Sequence, residues 1–91
     1  MTREEKIKLL SKDQGRIIHV RLLNFRDFFE EYEEIIPTWE TEVEIELTMT
    51  GILIGYYDKD CNFIRDFKKY KELENIQIDF IVGELKLQGV I

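Results

Sequence analysis

Residues 41–50 read Thr-Glu-Val-Glu-Ile-Glu-Leu-Thr-Met-Thr. Successive side chains of an extended chain point to opposite sides. Val43, Ile45, Leu47 and Met49 therefore share one face, and Glu42, Glu44, Glu46, Thr48 and Thr50 share the other. Unbroken alternation of this kind describes a strand with one buried and one solvated face, the habit of antiparallel sheets. The stretch predicts a sheet with a wet side, and the rest of the chain is read around it.

Downstream, Gly51 marks a bulge or bend, and residues 52–57, Ile-Leu-Ile-Gly-Tyr-Tyr, continue as strand. Asp58-Lys59-Asp60-Cys61-Asn62 has the composition of a turn. Residues 63–71 fit both helical and alternating patterns. The need for a hairpin partner to 52–57 favours a strand as far as Phe67. Ile76, Ile78, Phe80 and Val82 alternate with Gln77 and Asp79, which predicts a strand over 75–82. Gly83 then turns the chain into a last strand carrying Leu85, Leu87 and Ile91, an edge available for assembly.

Upstream, residues 16–23 predict a strand with Ile18, Val20 and Leu22 on one face and Ile17, His19, Arg21 and Leu23 on the other. Asn24 is placed to cap a second helix. Phe25, Phe28, Phe29, Tyr32 and Ile36 form its apolar stripe, and Pro37 stops it. Thr2 and Glu5 have the spacing of a capping box for a first helix, which Gly15 ends. The expected architecture is one α+β domain over residues 1–91. It comprises an N-terminal helix, a second amphipathic helix, and a mainly antiparallel curved sheet or small open barrel of five to six strands, SH3-like or Sm-like in plan.

The segment Gly51-x-Leu53-x-Gly55-Tyr56-Tyr57-Asp58-x-x-Cys61-Asn62 resembles the first motif of the Sm-like proteins, and Ile81-Val82-Gly83 occupies the place of the second. The resemblance implies a barrel of five strands behind an N-terminal helix. It also implies a ring-forming RNA-binding subunit with Asn62 near a base pocket.

Little in the sequence points to catalysis. His19 is the sole histidine and Cys61 the sole cysteine, so no intramolecular disulfide can form. No phosphate-binding glycine loop, nucleophile elbow or zinc-protease helix motif occurs. Asp58, Asp60 and Asn62 copy the first three ligand positions of an EF-hand loop, but Phe63 stands at the turn glycine and Lys69 at the closing glutamate. The expectation is no enzyme, no cofactor and no metal. The charged amino terminus lacks the apolar core of a secretion signal. No apolar run approaches the roughly 18 residues of a membrane span. No membrane association is expected, and the default location is cytoplasmic.

Charge carries the functional reading. The net charge is −6. Residues 1–26 hold seven Lys/Arg and three Asp/Glu, whereas residues 27–46 hold nine acids and no base. Those acids are Asp27, Glu30, Glu31, Glu33, Glu34, Glu40, Glu42, Glu44 and Glu46. If helix and strand lie side by side, they form one negative surface able to steer a basic partner. The expected function is a small interaction or inhibitor module presenting this surface to a basic protein, in the manner of a nucleic-acid mimic. Nucleic acid itself is an unfavoured partner for so acidic a chain. The alternatives are an Sm-like or SH3-like RNA-binding oligomer and a structural homo-oligomer joined by strand edges.

Overall fold

In the computed structural model, which describes residues 1–91, the chain runs from helix α1 (Arg3–Lys12) to strand β1 (Ile17–Arg21) and helix α2 (Leu22–Phe28). A 3-10 turn (Glu30–Tyr32) leads to strands β2 (Glu42–Leu47), β3 (Gly51–Tyr57) and β4 (Phe63–Lys69). A second 3-10 turn (Tyr70–Glu72) precedes helix α3 (Asn75–Leu87). The four strands form one antiparallel sheet in the order β1-β2-β3-β4. This is an α+β fold with an open sheet of four strands, not the barrel of five to six that the sequence suggests.

The sheet has one covered and one uncovered face. Register places Ile18, Ile45, Ile54 and Asp66 in one cross-strand row pointing toward the helices. Val20, Val43, Leu47, Ile52 and Tyr56 share that inner face and are buried. Leu10 of α1, Phe25 of α2, and Ile78, Ile81 and Leu85 of α3 close over them. The outer face carries Ile17, His19 and Arg21, then Glu42, Glu44 and Glu46, then Leu53, Gly55 and Tyr57, then Phe63, Arg65 and Phe67. No element covers it.

Helix α1 begins as its cap dictates. Glu5 N–H donates to Thr2 Oγ1 and Thr2 N–H donates to Glu5 Oε1, so two otherwise orphaned donors are satisfied. Gly15 takes the positive φ of +86° that turns the chain toward β1. Arg3 ties α1 to the far end of the sequence, donating to the carbonyls of Tyr70 and Leu73 and to Asn75 Oδ1.

The second helix is shorter than expected and starts earlier. Asn24 does not cap it: Arg21 is the N-cap residue, with no side-chain bond. Leu22 N–H instead donates to Thr41 O, so sheet pairing runs into the first helical residue and sets the start. The helix gives out at Phe29, whose φ of −123° and ψ of 69° are not helical. Adjacent glutamates at the negative end of a helix repel one another and the macrodipole, and the chain tightens into the 3-10 turn. The stripe is still buried: Phe25, Phe29, Tyr32 and Ile36 all lie in the core. Phe25 and Phe29 stack at 4.4 Å.

The long strand ends at Leu47. Thr48 Oγ1 accepts from the N–H groups of Thr50 and Gly51, and Thr48 N–H donates to Gly51 O. That turn puts Met49 at a hairpin tip, exposed rather than in the core. Gly51 is a site of close approach: a Cβ there would lie 2.2 Å from the Lys68 carbonyl oxygen. The 58–62 turn forms as expected, with Asp58 Oδ1 accepting from Asp60 N–H and Asn62 N–H.

The largest correction concerns the last third. Residues 75–87 are helix α3, not a strand, a turn at Gly83 and a second strand. Ile78, Ile81, Val82 and Leu85 recur at helical spacing and are buried, while Ile76 and Leu87 are exposed. A capping box of Glu74 and Gln77 starts the helix. Ile81-Val82-Gly83 is therefore helical, and the last two strands of an Sm-like plan are absent.

The two sheet edges differ. Bonds from Leu22 N–H to Thr41 O and from Leu47 N–H to Arg16 O point the even-numbered backbone groups of this segment at β2, so the His19 carbonyl faces outward. Gln88, just past α3, donates its side-chain amide to that carbonyl at 3.0 Å. No side chain does the same for β4. No helix is long and apolar enough to cross a membrane.

Candidate partner-binding surface

The nine acids of residues 27–46 divide between two sides of the sheet. Asp27 lies on α2, Glu30 and Glu31 on the 3-10 turn, and Glu33 and Glu34 in the segment after it. This group sits on the helical side. Tyr32, in the same turn, packs on Tyr56 at 5.8 Å and donates to Asp66, both inner-face residues. Glu31 approaches Lys68 at 3.9 Å. Asp27, Glu30 and Glu31 also line a small cavity of about 110 Å³ with Glu74 and Gln77. Glu42, Glu44 and Glu46 point the opposite way, onto the uncovered face.

The outer-face acids meet a second set of residues. A shallow depression of about 390 Å³ is lined by Glu40, Glu42 and Glu44 together with His19, Gly55, Tyr57, Phe63 and Arg65. Cross-strand register explains the grouping, because His19, Glu44, Gly55 and Arg65 form one row across all four strands. Tyr57 and Phe63 pair at the neighbouring row and meet edge to face at 5.1 Å. Both rings are exposed, as is Phe67 further along β4.

The charges here are unequally satisfied. Glu46 Oε1 lies 3.8 Å from Arg65 Nη1. Glu40, Glu42 and Glu44 form no salt bridge. Arg21 and His19 stand opposite Glu42 and Glu44 in register without closing on them. A carboxylate on a half-covered surface beside exposed rings can take a cation from outside, because aromatic faces and carboxylates both attract positive charge.

Other features singled out in the sequence have local roles. The Asn62 N–H is bound by Asp58, and Cys61 is exposed at a positive φ of 62° in the same turn. No group of three or more His, Cys, Asp or Glu side chains is arranged to hold a metal ion. Burial pushes the Tyr32 hydroxyl well above the usual tyrosine range, reinforced by its bond to Asp66. Burial also pushes Tyr70 up to about 12.

Gly55, Tyr57, Phe63 and Arg65 escape notice in the sequence as binding residues. The available signal is the period-two run of Phe63, Arg65, Phe67 and Lys69 in β4, which places rings and cations alternately along one face. The chain matches no family model, no curated protein and no solved structure.

Proposed function

We propose that this chain is a non-enzymatic interaction module that docks a basic protein segment on the uncovered face of its sheet. The observation that carries the reading is the convergence of three unpaired carboxylates, Glu40, Glu42 and Glu44, on one depression flanked by exposed Tyr57 and Phe63. Salt-bridged surface acids serve solubility as well as any others do. Unpaired ones grouped beside exposed rings favour a partner. The acids on the helical side add long-range attraction that steers the encounter.

The test separates the two acidic groups. One variant carries Glu42→Lys and Glu44→Lys, and another carries Glu31→Lys and Glu34→Lys. Binding to a short lysine- and arginine-rich peptide is followed by surface plasmon resonance at rising salt. Affinity is expected to fall with salt, since exposed charges are screened over about 10 Å at 0.1 M. The first variant should lose the interaction, while the second should mainly slow association. Binding untouched by the first variant overturns the reading.

An open β4 edge favours a second reading, a homo-oligomer joined strand to strand. Its signature is a concentration-dependent mass in sedimentation that the charge reversals leave unchanged.

A further inference from the structure

We infer that β4 pairs antiparallel with β4 of a second copy, the two-fold axis passing between the two Asp66 residues, an inference that rests on the strand-to-strand reading above. Bonds from Asp58 N–H to Asn62 O and from Tyr70 N–H to Thr50 O continue the β3–β4 ladder at its two ends. They assign the even-numbered backbone groups of β4 to β3, so the N–H and C=O groups of Phe63, Arg65, Phe67 and Lys69 point away from the sheet. The strand pairs with β3 over 7 residues without a bulge, and it contains no proline. Of the usual guards of a strand edge, only charge is present.

The side chains of those four residues share the uncovered face, are exposed, and run ring, cation, ring, cation. Read backwards, the order is cation, ring, cation, ring. Two copies meeting about Asp66 therefore set Phe63 opposite Lys69 and Arg65 opposite Phe67, twice each, and every outward backbone group meets another. Opposite residues of an antiparallel pair lie within side-chain reach, and a cation is attracted to the face of a ring. The strand already makes one contact of this kind, with the Arg65 guanidinium carbon 5.6 Å from the centre of the Phe63 ring. Pairing centred on Arg65 or on Phe67 also satisfies the backbone, but it sets ring against ring and cation against cation. Like charges directly opposite are destabilising.

On the inner face the same register sets Ile64 opposite Lys68, and Asp66 opposite itself. That last pair is the adverse one. The Tyr32 hydroxyl already donates to the Asp66 carboxylate, and Lys68 of the second copy stands on the diagonal, within reach of a long side chain. Arg65 reaches back to Glu46 at 3.8 Å, an exposed ion pair of small worth, so its guanidinium is free to turn toward the edge. A two-fold contact uses the same patch on both copies, and here the patch is complementary to its own reverse.

The experiment starts from Cys61→Ser, which removes the native thiol, and adds one cysteine at a time: Arg65→Cys, Asp66→Cys or Phe67→Cys. Each reports a pairing centred on its own position, because only there does a residue face its own copy. Opposed residues of a non-hydrogen-bonded pair lie about 4.5 Å apart between Cα atoms, within the span of a disulfide. Under mild oxidation Asp66→Cys should crosslink into dimers fastest. Sedimentation of the exposed-position variants supplies a second reading that leaves the inner face alone. Phe67→Arg, which sets cation against Arg65, should weaken dimerisation about tenfold or more. Adding Arg65→Phe to it should restore the wild-type affinity, and melting curves verify the fold of every variant. Crosslinking led by residue 65 or 67, or a double variant no tighter than Phe67→Arg alone, overturns the inference and leaves the strand-to-strand reading standing. A chain that stays monomeric up to its solubility limit, or a dimer indifferent to all these changes, overturns both.

Discussion

The Tyr32 hydroxyl donates a hydrogen bond to the Asp66 carboxylate, and that bond ties the turn after α2 to the inner face of β4. Lys68 lies beside it, its ammonium 5.6 Å from the Tyr32 ring centre. Tyr32→Phe keeps the ring and removes only the donor, leaving a half-covered carboxylate short of a partner. The expected cost is about 1–2 kcal/mol, measured by urea unfolding. Asp66→Asn should cost less, because the amide oxygen still accepts.

Alkaline pH should unfold the protein through its buried tyrosines. Burial raises Tyr32, Tyr56 and Tyr70 above the ordinary value of 10.0, and Tyr70 reaches about 12. The unfolded chain therefore releases these protons first, and folding stability falls as pH climbs above about 10. Below that point these groups are protonated in both states and contribute no slope. Thermal melts between about pH 8 and 12 should show a plateau and then a decline. Tyr70→Phe should make the decline shallower.

Ile45 is fully buried at the centre of the sheet. Ile45→Ala should cost about 2–5 kcal/mol, from lost transfer energy and the cavity left behind. Met49, at the hairpin tip, is 65% exposed. Met49→Ala should change stability by no more than about 0.5 kcal/mol. Denaturant melts of the two variants test the strand end that the turn at Thr48 imposes.

Two glycines should respond to alanine with opposite signs. Gly83 lies inside α3, and a Cβ there would meet nothing within 4 Å. Gly83→Ala should stabilise by about 0.5–1 kcal/mol, by removing backbone freedom from the unfolded chain. Gly51→Ala would drive a methyl group into the β4 backbone at Lys68 and Lys69. It should cost about 1–3 kcal/mol. A pair of thermal melts suffices.

What the sequence discloses depends on how many patterns a segment satisfies. The alternation of Val43, Ile45 and Leu47 admits one reading, and the Thr2–Glu5 box admits one helix start. Residues 75–87 satisfy two. Ile76, Ile78, Phe80 and Val82 alternate as a strand would, with β-branched residues that favour one. Ile78, Ile81, Val82 and Leu85 recur as a helix would. The Glu74–Gln77 box tips the balance, yet a glutamate N-cap is a weaker signal than serine or threonine. The acids of residues 27–46 are plain as composition, but their separation onto two faces follows from strand register and from the turn at Phe29. Gly55 and Phe63 become neighbours only when β3 and β4 pair.

Gln88, by donating to the outward carbonyl of His19 on β1, makes the two ends of the sheet unequal. An open sheet with two bare edges can add strands at both, and repeated addition of such units propagates into a fibre. Here a strand arriving at β1 has to displace the Gln88 amide, an obstacle that one arriving at β4 does not meet. Gln88→Ala should remove that obstacle, and any concentration-dependent association should then rise.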